Sequence, residues 1–219
     1  MKEGPIILCT EMVRATLEDR KIKTRRVIKH PAVPNSDIVS FQEFLDVPQP
    51  DINWEPKEGY YALLKCNANQ NCATIYFKCP YGQVGDRLWV RESFLDYPVK
   101  GCLYKADYNT KRIELADDAF CVPQWKPSIF MPRWASRITL EITGIRVEKL
   151  QEITEEDALN EGIYSNSICG DFGFHWVSKH SGYETAQTAF HNLWDSLNAK
   201  HGYSWESNPW VWVISFKRL

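Results

Sequence analysis

No segment of this chain constrains the fold more than residues 137–147, RITLEITGIRV, in which apolar and polar side chains alternate. Successive side chains of a β-strand point to opposite faces of its sheet, so this alternation predicts a strand with one buried face and one solvated face. The side chains expected to point inward are Ile138, Leu140 and Ile142, and those expected to point outward are Thr139, Glu141 and Thr143.

Other segments predict further strands and helices. Residues 60–65 and 74–78 are expected to pair as a hairpin, and Thr154 is expected to cap a helix that Gly162 ends. Further strands are predicted at 87–92, 101–108 and 210–217. Helices are predicted at 12–19, 155–161 and 183–199. Short, mostly antiparallel strands with two or three helices predict an α+β, barrel-like domain.

Composition narrows the classes of function. The 219 residues fit a single domain spanning 1–219. The net charge of −2 argues against a protein that coats DNA without specificity. Seven cysteines, an odd number with no N-terminal signal-peptide pattern, predict reduced thiols and a cytoplasmic location. No stretch approaches the ~18 apolar residues of a membrane span.

The predicted strand 87–92 offers candidate ligand-binding side chains. Leu88 and Val90 share one face, whereas Trp89 and Arg91 share the other. Trp89 beside the Arg91 guanidinium is either a platform on which a base stacks or a packed ring that the arginine covers. Glu92 lies on the face opposite Arg91 and is a further candidate for substrate binding.

Four segments, in the same order along the chain, resemble the ASCH family, a branch of the PUA-like fold. They are RKIKTRR at 20–26, GDRLWV at 85–90, LQEITEEDALNEG at 150–162 and WVISF at 212–216. With MPRWASR at 131–137, the whole resembles ASCH-like proteins often encoded in tailed phages and prophages. The resemblance implies a PUA-like mixed β-barrel with flanking helices and insertions at 31–78, 98–130 and 164–182. Asp19 and Ile22 depart from the family's usual Gly and Thr.

The resemblance also implies a chemistry. The smallest bacterial members of the family are acetylcytidine amidohydrolases that use a Lys, a Thr three residues later and a Glu near the end of the helix. The matching positions are Lys21, Thr24 and Glu161. A Thr hydroxyl needs a neighbouring base to become a nucleophile, and a Lys can be that base where burial or nearby cations lower its pKa. Arg26 is a candidate for holding a phosphate or an oxyanion. A basic run such as 20–26 is otherwise a solvated face or a phosphate-contacting patch.

A zinc site is the remaining candidate. Cys66, Cys72 and Cys79 are separated by five and six residues, which differs from the close cysteine pairs of tetrahedral zinc sites. Cys102 and His175 are conceivable fourth ligands, but buried or loop thiols explain the cysteines equally. The sequence therefore predicts neither a metal nor a cofactor.

Three functions remain open. The first is a hydrolase that acts on an acylated pyrimidine nucleoside such as acetylcytidine. The second is a module that binds single-stranded RNA or a modified base without chemistry, and the third is a ribonuclease. The expected partner is therefore a nucleoside or single-stranded RNA. Convergence of Lys21, Thr24 and Glu161 within hydrogen-bond reach would favour the hydrolase, and Lys21 and Thr24 pointing away from a common pocket would count against it.

Overall fold

A computed structural model describes residues 1–29, 38–44, 59–65, 74–97, 101–108, 124–165, 174–175 and 183–219. The main sheet is built from β1 (Glu3–Ile7), β2 (Lys23–Val27), β6 (Arg87–Arg91), β9 (Thr139–Lys149) and β12 (Trp210–Arg218). Smaller sheets contain β3 (Ile38–Phe44), β4 (Gly59–Lys65), β5 (Thr74–Lys78), β7 (Phe94–Tyr97), β8 (Gly101–Tyr104), β10 (Tyr164–Ser165) and β11 (Phe174–His175). The helices are α1 (Thr10–Leu17), α2 (Glu155–Asn160) and α3 (Ala186–Asn198). The described chain is thus a mixed α+β structure.

The five-stranded sheet has the order β1-β6-β9-β12-β2. Only β1 and β6 run parallel within it, while the β6–β9, β9–β12 and β12–β2 pairs are antiparallel. The alternation of residues 137–147 is confirmed, because Ile138, Leu140 and Ile142 are buried in the main core while Thr143 is exposed. The strand whose sequence constrains the fold most, β9, therefore lies at the centre of the sheet.

The sheet is open, in contrast to the closed barrel that the sequence resemblance predicted. Within the described strands, β1 and β2 are the two edges and share no ladder. Helix α1 connects them, and the Nη2 of Arg26 on β2 donates a 2.6 Å hydrogen bond to the carbonyl of Ile7 at the end of β1. In a closed barrel, backbone hydrogen bonds would join the two edge strands. Here the Arg26 side chain bridges β1 and β2 instead, and a cleft lies beside them.

The helices agree with the predictions apart from their ends. Helix α1 begins two residues before the predicted start at 12 and ends at Leu17. At α2, the Thr154 hydroxyl accepts the backbone N–H of Asp157 at 3.1 Å, as an N-cap should. The carboxylate of Glu155 accepts the first backbone N–H of α3, from Ala186, at 2.8 Å. One buried stripe of α3 packs on the core, made of Ala186, Ala189, Phe190, Leu193 and Trp194. None of the helices in the described ranges has the length and apolar character needed to cross a bilayer.

The predicted insertions are described in part. The hairpin of β4 and β5 is confirmed, with Tyr61 opposite Lys78 and Lys65 opposite Thr74, and β3 extends it to a three-stranded sheet within 31–78. The predicted strand 101–108 is shorter, because β8 ends at Tyr104 and a 3₁₀ turn follows at Lys105–Asp107. Most of 98–130 and 164–182 lies outside the described residues, and the single-domain organisation stays a prediction.

Gly162 follows α2 and packs closely against Ala15 of α1, and a substitution can test this contact. Its φ is 101°, and a Cβ there would lie 2.9 Å from the Cβ of Ala15. We expect Gly162→Ala to lower the free energy of unfolding by about 2–4 kcal/mol, through a left-handed backbone and an overlap in a packed core. Urea denaturation measures the loss.

Gly202 provides the matched control for this prediction. Its φ is 83°, but an added Cβ would meet no atom of the described residues within 4 Å. Gly202→Ala should therefore cost only about 1 kcal/mol, from the backbone alone. Equal losses for the two variants would show that the close approach of α2 to α1 carries no penalty.

Candidate functional site

A cleft of about 1210 Å³ opens beside the β2 edge of the sheet. Its walls come from the end of β1, from α1, from β2, from the turn at Pro80 and Tyr81, and from one side of α3. Three of the residues predicted from the family resemblance as catalytic, Lys21, Thr24 and Glu161, line it together with Arg26. The fold therefore brings these four side chains to one cavity.

Lys21 and Glu161 form a buried ion pair in this cleft. The Lys21 Nζ donates to the Glu161 Oε2 at 2.6 Å, and also to the carbonyls of Glu161 and Lys23, each at 2.8 Å. The same two residues form an isolated antiparallel backbone bridge, which fixes their spacing. Burial lowers the pKa of Lys21 below its ordinary value, although the neighbouring Glu161 carboxylate opposes that shift. This is the direction that a general base needs.

Thr24 lies on β2, three residues after Lys21, and is buried. Within the described part of the chain, its hydroxyl makes no hydrogen bond. Arg26 lines the cleft two residues further along the strand, and its Nε is buried with no hydrogen-bond partner among the described residues. The Thr24 hydroxyl and the Arg26 Nε are therefore both without a hydrogen-bond partner among the described residues.

Behind Lys21, a network of charges fixes Glu161 in place. Arg25, whose side chain is 0% exposed, donates to Glu161 at 3.2 Å, to Asp157 at 2.7 Å and to Glu148. Lys23 bonds the second Asp157 oxygen at 2.6 Å, and Arg146 bonds both Asp157 and Glu148. Each buried carboxylate thus has a cationic partner, as buried charges require.

The network changes the acidity of its members. Burial raises the pKa of Asp157, but the hydrogen bonds from Lys23 and Arg25 outweigh burial and hold that pKa at about 2. Burial alone would lower the pKa of Arg25, whereas Glu161 and Glu148 raise it. Asp157 and Arg25 are therefore charged across the neutral range, and Glu161 is oriented by groups that keep their charge.

The two departures from the family's sequence pattern are accommodated. Asp19 takes a φ of 56°, the left-handed conformation that the family's usual Gly favours and that Asp tolerates better than most residues. Its carboxylate accepts two hydrogen bonds from Arg218, at 3.0 and 2.8 Å. Ile22 is partly exposed, and its backbone N–H bonds the carbonyl of Asn160 at 2.9 Å. Hydrogen bonds to Arg218 and Asn160 therefore hold the turn before β2 at both positions.

Comparison with known proteins adds one structural likeness. No protein-family model matches the chain, and no curated protein matches it either. A solved structure described as an ASCH domain from Lactobacillus crispatus JV V101 aligns with 99% of this chain and 79% of its own, at 12% identity and a TM-score of 0.37. The likeness is to an ASCH domain. At this TM-score, the function has to be argued from the chain's own residues.

The structure does not bring Trp89, Arg91 and Glu92 to the cleft. Trp89 is mostly buried, with the guanidinium of Arg91 at 4.8 Å from its ring centroid and that of Arg133 at 5.9 Å. Glu92 is buried and bound at both oxygens by Arg137, at 2.9 and 3.1 Å. These contacts are those of a packed ring covered by arginine and of a buried ion pair, because this end of β6 faces residues 131–137.

Of the three cysteines considered for zinc, only Cys79 is among the described residues. It is buried, and burial raises the pKa of its thiol to about 11. Cys66 and Cys72 lie outside the described residues, and the described part of the chain holds no cluster of metal-ligating side chains.

Sequence reasoning missed most of the network around the cleft. The resemblance singled out Lys21, Thr24 and Glu161, but it did not single out Asp157, whose carboxylate pairs with Lys23, Arg25 and Arg146. Tyr81 also lines the cleft, and no pattern in the sequence separates it from a core residue. The excess of cations at 20–26 was the available signal, because buried cations require acidic partners elsewhere in the chain.

Proposed function

We propose that this protein hydrolyses the amide of an N-acylated pyrimidine nucleoside such as acetylcytidine. The observation that carries the proposal is the buried Lys21–Glu161 pair, at 2.6 Å, in a cleft that Thr24 also lines. The sequence resemblance to ASCH proteins assigns these three positions to the amidohydrolase site. The lowered pKa of Lys21 supports its role as a base.

The proton balance of Lys21 fits this role. As an ammonium, Lys21 uses its three N–H groups on three acceptors. As a neutral amine it keeps two of these hydrogen bonds and gains a lone pair. Within the described residues, no hydrogen bond joins Lys21 to Thr24, so transfer of the Thr24 proton requires the substrate-bound cleft to bring the hydroxyl within reach of the amine. Glu161, held by Arg25 as well as Lys21, keeps the amine oriented while its charge changes.

Hydrolysis then follows in two steps, acylation of Thr24 and hydrolysis of the resulting ester. The Thr24 oxygen attacks the acyl carbonyl as its proton passes to Lys21, and the tetrahedral intermediate expels the exocyclic amine, which takes that proton. The acyl group remains as an ester on Thr24. Water, deprotonated by Lys21, attacks this ester, releases the carboxylic acid and restores the Thr24 hydroxyl.

The direct test is release of cytidine from acetylcytidine, followed by chromatography. We expect turnover by the parent protein and at least a 10³-fold lower kcat for Lys21→Ala, because the base is removed. Lys217→Ala is the matched control, since Lys217 is exposed and pairs with Glu141 away from the cleft. Absence of turnover by the parent on a panel of acylated pyrimidines would refute the hydrolase.

One observation favours a second function, a base-binding module without catalysis. The ammonium of Lys21 is already satisfied by three acceptors, as in a purely structural ion pair. In that case both cytidine and acetylcytidine would bind in the cleft, and acetylcytidine would be released without being hydrolysed. A radiolabelled RNA incubated with the protein separates the ribonuclease alternative, because only a nuclease would shorten it.

A further inference from the structure

Positive charge is concentrated at the cleft although the whole chain carries a net charge of −2. Among the described residues, the cationic side chains that line the cleft are Arg14, Lys21, Arg25, Arg26, Lys29, Lys78 and Lys105. The acidic ones are Glu11 and Glu161. Glu161 is engaged by Lys21 and Arg25, so it does not offset the other cations. The cleft therefore presents an anion-attracting surface.

Of the three arginines that line the cleft, Arg25 binds three carboxylates, whereas Arg14 and Arg26 bind none among the described residues. Arg133, Arg137 and Arg218 lie outside the cleft, and each binds one carboxylate through two nitrogens. Arg14 instead bonds the carbonyls of Ala106 and Tyr108, at 2.6 and 2.9 Å.

Arg26 also bonds a backbone carbonyl and no carboxylate among the described residues. It bonds the carbonyl of Ile7 through Nη2, while its buried Nε has no partner in the described part of the chain. Buried donors without a partner are rare in folded proteins, so the Nε of Arg26 indicates a missing acceptor. Lys29 is exposed, lies three residues after Arg26 and lines the same cleft. Neither residue has a carboxylate partner among the described residues.

The size of the cleft points the same way. At about 1210 Å³ it exceeds the cavities that hold single small molecules, which are about 300–1,000 Å³. A nucleoside held at Lys21 and Glu161 would leave part of this volume unfilled. Arg26 and Lys29 are among the residues that line the cleft and bound this remaining space.

We infer that the cleft contains a phosphate subsite formed by Arg26 and Lys29, and that the substrate is an acylated cytidine carrying a phosphate. The identity of the acylated base rests on the proposed function, whereas the phosphate subsite rests on the geometry above. Arg26 supplies the oriented guanidinium, and Lys29 supplies a mobile charge at the cleft wall. The phosphate is either that of a free nucleotide or a phosphodiester of a single strand, since both present the same oxygens.

The test compares binding of cytidine and cytidine 5′-monophosphate to the full chain, without any need for turnover. Tryptophan fluorescence reports binding, because Trp194 and Trp212 line the cleft. We expect the monophosphate to bind at least about tenfold more tightly, as one charge-assisted contact provides. Lys29→Gln and Arg26→Gln should each reduce that preference several-fold. Lys217→Gln, outside the cleft, should leave it unchanged.

The outcomes separate this inference from the proposed function. Equal affinities for the two ligands, or binding of neither, would overturn the phosphate subsite. A phosphate preference in a protein that fails to hydrolyse acetylcytidine and its 5′-monophosphate would support the subsite and refute the hydrolase. A cytidine-containing decamer distinguishes the sources of phosphate. Tighter binding than the monophosphate, with a steeper salt dependence, identifies a strand, and equal binding identifies a free nucleotide.

Discussion

Arg25→Met should lower the free energy of unfolding by about 3–5 kcal/mol at neutral pH, the cost of removing one partner from a buried ion pair. The Arg25 side chain is fully buried and contacts the carboxylates of Glu148, Asp157 and Glu161. Methionine has a similar volume but no charge, so these acids would lose their shared cation. Chemical denaturation at pH 7 measures the loss.

Arg146→Met is the matched control, because Arg146 binds two of the same carboxylates, those of Glu148 and Asp157. Its side chain is 41% exposed, so water can replace it, and the cost should be about 1 kcal/mol. Similar losses for the two variants would show that burial of Arg25 does not determine its contribution.

The loss in Arg25→Met should also depend on pH. In the parent, the pKa of Asp157 is about 2, below its value in the unfolded chain. Its ionised form therefore stabilises the fold above about pH 4, and this contribution disappears as the pH falls toward 2. Without Arg25 the pKa of Asp157 rises toward its ordinary value, so the difference in unfolding free energy between variant and parent should narrow as the pH falls from about 4 to about 2. A constant difference would contradict this role.

Thr24→Val should abolish hydrolysis of acetylcytidine, with a fall in kcat of at least about 10³-fold, since valine keeps the shape and removes the nucleophile. The Thr24 hydroxyl has no hydrogen-bond partner in the described residues, so its removal leaves no protein group unsatisfied. Stability and KM should therefore change little. Steady-state kinetics with acetylcytidine measure the effect.

Thr24→Ser supplies the control, because it retains the hydroxyl and loses only a methyl group. It should keep kcat within about tenfold of the parent. Mass spectrometry of acid-quenched parent should show an acetyl group on Thr24, and Thr24→Val should show none. Turnover by the valine variant at the parent's rate would exclude Thr24 as the nucleophile.

Local patterns predicted local features of this fold well. The period of two in residues 137–147 gave the buried face of β9, and Thr154 and Gly162 gave both ends of α2. These features depend on neighbours a few residues away. The placement of β12 between β9 and β2 was not predictable, since strand pairing over long separations leaves no periodic signal.

The candidate site shows the same division. The sequence resemblance singled out Lys21, Thr24 and Glu161, and the structure places them around one cleft. The sequence did not predict that Arg25 pairs with Glu148, 123 residues away, or that Lys23 pairs with Asp157, 134 residues away. The alternatives for Trp89 were both stated from sequence, but only the positions of Arg91 and Arg133 show that the ring is covered.

The pairing of β2 with β12 sets the order in which this site can be assembled during synthesis. Among the described strands, β2 has β12 as its only ladder partner, and β12 spans residues 210–218. Lys21 and Glu161 are 140 residues apart. Once residues 20–26 and 148–161 have left the ribosome, the nascent chain contains the charged residues of the network. It still lacks β12, the strand that holds β2 in the sheet. Until residues 210–218 emerge, β2 lacks its ladder partner among the described strands, so the cleft cannot form by pairing of neighbouring segments alone.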